Sequence, residues 1–164
     1  MSQVDDFIKC LLAEATDPGT LREVQKEAAR RLCAHNGETY AENGSAITLS
    51  LLLQKAGLDI ADVFGAFCLT EFLTKTGWKE IVVGNQRPGD IGTTCWDAPR
   101  NGADQVYLVV EVNGEDEMVV VDNQQAVPHV RFASRAGTTI GGKLKPPTRY
   151  FLRAQAIHQF ASRT

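Results

Sequence analysis

Ser45 stands first in "SAITLSLLLQKAG", residues 45–57, a polar group at the mouth of a segment otherwise built for burial. If that segment is a helix, its first turn leaves backbone N–H groups free, and these with the macrodipole favour negative charge on a nucleophile placed there. The plainer reading is a capping serine, worth about 1 kcal/mol, a role Asn43 could fill equally well. Three histidines are the available bases. His129, in "VPHVRF", reads as a surface or loop residue beside Pro128, with a second reading as a base that reaches Ser45. His35 precedes an Asn-Gly turn and His158 lies in "AQAIHQFASRT", which reads as a terminal helix; neither is a candidate. Four cysteines, Cys10, Cys33, Cys68 and Cys95, form no CxxC and no Cys/His cluster, which excludes a recognisable zinc site. Cys10, Cys33 and Cys68 fall in helical patterns and read as small core residues. Cys95, in "TTCWDAP", is in a loop, and Pro99 argues against a helix after it.

The elements that must position these groups change character midway. Val4, Ile8, Leu11 and Leu12 share one face of a short helix ended by Asp17-Pro18-Gly19. Thr20, with Glu23 three residues on, predicts a capping box for the next helix, whose buried stripe is Leu21, Val24, Ala28 and Leu32, with Lys26, Arg30 and Arg31 facing water. After the polar connection "AHNGETYAENG", the run from Ala46 to Ala56 has almost no polar face, which places it at the centre of a domain, and Gly57 is a natural stop. Ile60, Val63, Phe64 and Phe67 predict another helical stretch, and Thr70 to Lys75 a short one. From Gly77 the runs become β-branched: "KEIVVG", "QVYLVVEV", "EMVVVD" and "TRYFLRA" read as strands, with "NGED" a hairpin turn and "SRAGTTIGGKLKPP" a loop. Helices followed by an antiparallel sheet make an α+β fold.

At 164 residues the chain suits one domain, 1–164, with 43% hydrophobic and 23% charged residues. Such a core needs no disulfide framework, so four reduced thiols are expected. A net charge of −3 without blocks of like charge gives no electrostatic case for nucleic acid or an anionic membrane surface. No stretch approaches ~18 uninterrupted apolar residues, so no membrane insertion is expected. "MSQVDDFIKCLLAEA" is too acidic for a signal peptide, and synthesis in the cytoplasm is the expectation.

The order of the pieces resembles the NlpC/P60 and CHAP families of papain-fold cell-wall hydrolases. Their pattern opens the central helix with Cys, typically Asp-Cys-Ser-Gly, then apolar residues and a closing Ala-Gly. "NGSAITLSLLLQKAG" is similar, with Ser45 at the Cys position and Ala56-Gly57 at the end. Gly77-Trp78 and the turn in "RPGDIGTT" follow, as in those families, where the turn leads into the first core strand. Their next strand begins with His; here "QVYLVVEV" begins with Gln105. Their third polar group falls in "VVVDNQ", at Asp122 or Gln124. The resemblance covers residues 40 to 125, about half the chain, and implies a papain-like fold with a central buried helix packed on an antiparallel sheet, no cofactor and no metal.

By that resemblance Ser45 is the nucleophile place, Gln105 the base place and Asp122 the orienting place, with Trp96, Asp97 and Gln124 as ligand contacts. Each has a plainer reading: Gln105 as a polar strand start, "DNQ" as turn chemistry, Trp96 as a packed loop anchor. In a thiol peptidase the Cys thiolate attacks a carbonyl, an imidazolium carries the proton to the leaving amine, and a third side chain fixes the ring. A serine hydroxyl needs a strong base, and a glutamine amide carries no proton between steps. The expectation is therefore an amidase or endopeptidase of the peptidoglycan-hydrolase type that is inactive as written. Either Ser replaces a catalytic Cys to trap the enzyme, or Cys and His have both been lost in a pseudoenzyme that binds a peptide or protein. A peptidoglycan stem peptide is the implied partner, reached at the cell wall after export or lysis.

Overall fold

The computed structural model describes residues 2–95, 104–135, 137–138 and 144–155. Helix α1 (Gln3–Thr16) starts at Ser2, whose side chain accepts from the Asp5 N–H while the Asp5 side chain completes a capping box. Phe7, Leu11 and Ala15 are its buried positions, with Val4 and Ile8 packed against the same core. Asp17 then caps α2 (Pro18–Asn36), its carboxylate accepting from the Thr20 N–H at 2.8 Å and the Thr20 hydroxyl at 2.7 Å. The expected Thr20–Glu23 box is thus displaced by three residues. Proline has a fixed φ and no N–H to lose, so Pro18 belongs inside the first turn and the helix starts earlier. The stripe of Leu21, Val24, Ala28 and Leu32 is buried as expected. Arg31, expected in water, is half-buried and pairs with Glu27 and Asp62.

A single turn, α3 (Tyr40–Asn43), precedes α4 (Ser45–Ala56). Ten of the twelve α4 residues are buried, which is why that helix tolerates almost no polar face. Its internal hydroxyls are satisfied locally: Thr48 Oγ1 donates to the Gly44 carbonyl at 2.7 Å, and Ser50 Oγ to the Ala46 carbonyl at 2.9 Å. Gly57 ends the helix in the left-handed region at φ 109°. The helix expected around Ile60–Phe67 does not form: residues 59–65 are irregular, and α5 runs from Ala66 to Lys75. Tertiary partners replace helical bonds there. Val63 N–H donates to Ser50 Oγ, and Asp62 accepts from Gln54 and Arg31, while Ile60 is buried in the same core.

The sheet is six-stranded and antiparallel. Its strands are β1 (Lys79–Ile81), β2 (Ile91–Thr94), β3 (Gln105–Asn113), β4 (Glu117–Val121), β5 (His129–Phe132) and β8 (Thr148–Arg153). The spatial order is β1-β8-β2-β3-β4-β5. The segment 134–147, expected as loop, contains a two-residue ladder of β6 (Gly137–Thr138) and β7 (Leu144–Lys145). Alternation along the strands gives the sheet two apolar faces. Ile91, Val106, Leu108, Val121 and Leu152 join the helices in the main core. Tyr107, Val109, Met118, Val120 and Phe151 form a second cluster on the other face.

The turn before β2 is tied to the last strand. Asp90 Oδ2 accepts from the Arg87 N–H at 2.8 Å, and the same carboxylate takes Arg153 Nε at 2.9 Å and Nη2 at 2.7 Å. That bidentate pair holds the Arg153 guanidinium above its usual range.

The cysteines depart from expectation. Cys33 and Cys68 are exposed and Cys10 is half-buried, whereas Cys95 is buried; Cys33 follows Leu32 on α2 and so falls one position off the buried stripe. No disulfide joins the four. The molecule is α+β, and among the described residues no helix is long and apolar enough to cross a membrane.

Candidate active site

Ser45 is the first residue of α4, behind Gly44. A Cβ at position 44 would lie 2.4 Å from Tyr40 Cδ1 and 2.5 Å from the Tyr40 carbonyl oxygen, so only glycine lets α3 fold this tightly against the start of α4. Neither Ser45 nor Asn43 caps α4, which has no side-chain cap. The Ser45 hydroxyl turns instead to the sheet and accepts from the Val106 N–H at 3.4 Å. Ser45 is 7% exposed. A hydroxyl that leaves its own helix's donors free and accepts from a strand is a positional group, placed by the packing of α4 on β3.

Gln105, the first residue of β3, is the neighbour of that Val106 amide and is equally buried. Its Nε2 donates to Asp122 Oδ2 at 3.4 Å, and its Oε1 is buried with no hydrogen-bond partner among the described residues. Asp122, directly after β4, is fully buried. Its Oδ1 accepts from the Gln124 N–H at 2.7 Å, the short-range bond that fixes the "DNQ" bend. Its backbone carbonyl accepts from Gln25 Nε2 on α2 at 2.9 Å.

"DNQ" does more than turn the chain. Asn123 Nδ2 donates to the Tyr40 carbonyl at 2.8 Å and the Ala41 carbonyl at 3.2 Å, and Gln124 Nε2 donates to the Ala41 carbonyl. These amides hold α3, and through Gly44 the entry to α4, against the end of β4. Tyr40 closes the arrangement, its hydroxyl 2.7 Å from Thr48 Oγ1. Burial pushes the Tyr40 phenol up to about 12, and the charge of Asp122 acts in the same direction.

His129 is neither loop nor surface. It opens β5, its side chain is 11% exposed, and Nε2 lies 3.6 Å from Asp122 Oδ2. The strand order β3-β4-β5 puts Asp122 between Gln105 and His129, so His129 stands on the side of the carboxylate away from β3. His35 stacks on Phe64 with ring centroids 3.9 Å apart. Trp96, Asp97 and His158 lie outside the described residues.

One residue on the same face of β5 as His129 is not among those the sequence singles out. Arg131, two residues along β5 from His129, is 6% exposed. Its guanidinium carbon lies 4.7 Å from the Tyr107 ring centroid and its Nη2 donates to the Pro146 carbonyl at 3.1 Å. The alternation of "HVRF" was the available clue, since His129 and Arg131 share a face of any strand drawn through it. Burial pushes the Tyr107 phenol up to about 12 and pulls Arg131 below its usual range, and the charge of Asp122 partly offsets the latter.

Chemically, a hydroxyl at a helix start meets the second residue of β3 through its backbone N–H, and the side chain of the first residue of β3 meets a buried carboxylate just after β4. The Ser45 hydroxyl and the Gln105 side chain make separate hydrogen bonds, and a glutamine amide carries no proton from one to the other. Comparison with models of known protein families, with curated proteins and with solved structures returns no match.

Proposed function

We propose that this chain is a papain-fold amidase or endopeptidase of the peptidoglycan-hydrolase type whose site is silent with Ser45 and Gln105 in place. The observation that carries the reading is the continuity of three elements. Ser45 Oγ accepts from the amide next to Gln105, and the Gln105 side chain donates to Asp122. A Cys at position 45 would sit at a helix start, where free N–H groups favour a thiolate. An imidazole at position 105 would stand beside a carboxylate able to fix its tautomer. The substrate class is a peptide amide, with the stem peptide of peptidoglycan favoured by the resemblance in motif order.

The test uses Ser45→Cys alone and with Gln105→His, each incubated with purified sacculi. The double variant is expected to release peptides, and the unmodified chain none. If both variants fold, shown by circular dichroism, and release nothing, the hydrolase reading falls.

A second reading has the same residues without catalysis: a peptide-binding module. The Gln105 Oε1 favours it, since a buried acceptor without a hydrogen-bond partner among the described residues suits a peptide N–H. In that case Ser45→Ala leaves peptide affinity largely intact.

A further inference from the structure

Buried polar atoms without partners occur on β3, just after β4 and on β5. Gln105 Oε1 lies on β3, Asn123 Oδ1 follows β4, and Arg131 Nε and Nη1 lie on β5; none has a hydrogen-bond partner among the described residues. The first two are acceptors and the last two are donors on a permanent cation. A buried guanidinium with unmet N–H groups is costly, because the charge cannot be removed by deprotonation and the lost hydration is not replaced. Arg131 has two partial compensations, the Tyr107 ring and the Pro146 carbonyl. Asp122, the carboxylate whose field reaches it, already accepts from Gln105 and Gln124.

We infer that Arg131 receives the carboxylate of an acidic peptide ligand while Gln105 accepts one of that ligand's backbone N–H groups. The inference rests on the peptide-site reading above and deepens it by naming the group recognised. Several observations fit it. The unmet atoms are complementary in type to a peptide that carries both an N–H and a carboxylate. Tyr107, two residues along β3 from Gln105, connects the two halves, its ring under Arg131 and its hydroxyl bonded to Thr148 Oγ1 at 2.6 Å. The donors are covered, so the ligand must enter by local opening. β5 suits that need: it is four residues long and lies at the sheet edge, held by β4 alone in the ladder.

The experiment compares two probes by calorimetry on the full chain: N-acetyl-trialanine with a free C-terminal carboxylate, and the same peptide as its C-terminal amide. The carboxylate form is expected to bind about tenfold more tightly, and Arg131→Gln to abolish the difference while Arg131→Lys keeps part of it. Equal binding of the two probes overturns the inference, since buried water then satisfies Arg131, and it leaves the peptide site standing. A preference that survives in Arg131→Gln also overturns it, placing the carboxylate elsewhere. Failure of both probes to bind removes the peptide site and this inference together. The comparison on the unmodified chain decides the matter even if Arg131→Gln does not fold.

Discussion

Gly92 has no side chain because Tyr107 occupies the space. A Cβ there would lie 2.1 Å from Tyr107 Cζ and 2.5 Å from its hydroxyl oxygen, and Tyr107 is fully buried with its hydroxyl committed to Thr148. The ring has nowhere to go, since Phe151 packs edge-on against it at a centroid distance of 6.2 Å and Arg131 lies over its face. Gly92→Ala is therefore expected to cost about 3 kcal/mol, at the upper end of overpacking penalties. Urea denaturation measures it, and a loss below about 1 kcal/mol would show that the ring can shift. The same scale explains why Ser45 was ambiguous as a letter. A serine at a helix start reads as a cap from its type alone; the hydroxyl's turn toward Val106 follows from which strand packs on α4, and no local pattern encodes that.

Elements were legible where one local force dominates. The apolar run of α4, the stripe of α2 and the β-branched runs of β3, β4 and β8 follow from periodicity. The helix expected near Ile60 failed because apolar spacing cannot distinguish a helix from an irregular segment that buries Ile60 and half-buries Val63 and Phe64 while its backbone bonds to Ser50. β5 escaped notice because four residues after a proline carry too short a pattern, and its strand character comes from pairing with β4. The junction of α1 and α2 gives a direct test. Asp17 ends one helix and caps the next, so Asp17→Ala is expected to lower stability by about 1 kcal/mol. Thr20→Ala, which removes only a hydroxyl that donates to Asp17, is expected to cost less. Equal losses in thermal melts of the two variants would return the cap to Thr20.

For the whole molecule, two phenols have the same consequence, the partly buried Tyr40 on α3 and the fully buried Tyr107 on β3. Tyr40 and Tyr107 are each held at about 12, against an ordinary value of 10.0, chiefly by burial. The folded state keeps protons that the unfolded chain loses, so their contribution to stability is complete below pH 10 and disappears as pH rises through about 12. Base titration is expected to show tyrosinate absorbance from these two residues appearing together with loss of near-ultraviolet circular dichroism. Ionisation of both near their ordinary value with tertiary structure intact would contradict the burial described for them.

By itself the sequence determined the α+β class, the buried central helix with its glycine stop, and the hairpin of β3 and β4, because burial periodicity and turn chemistry act over a few neighbouring residues. Tertiary structure alone decided that Ser45 faces the start of β3, that Asp122 sits between Gln105 and His129, and that Arg131 ends buried with donors unmet. Those contacts join residues far apart in the chain across strands whose order the sequence does not state. Register and strand order are set by the summed packing of the sheet on its helices.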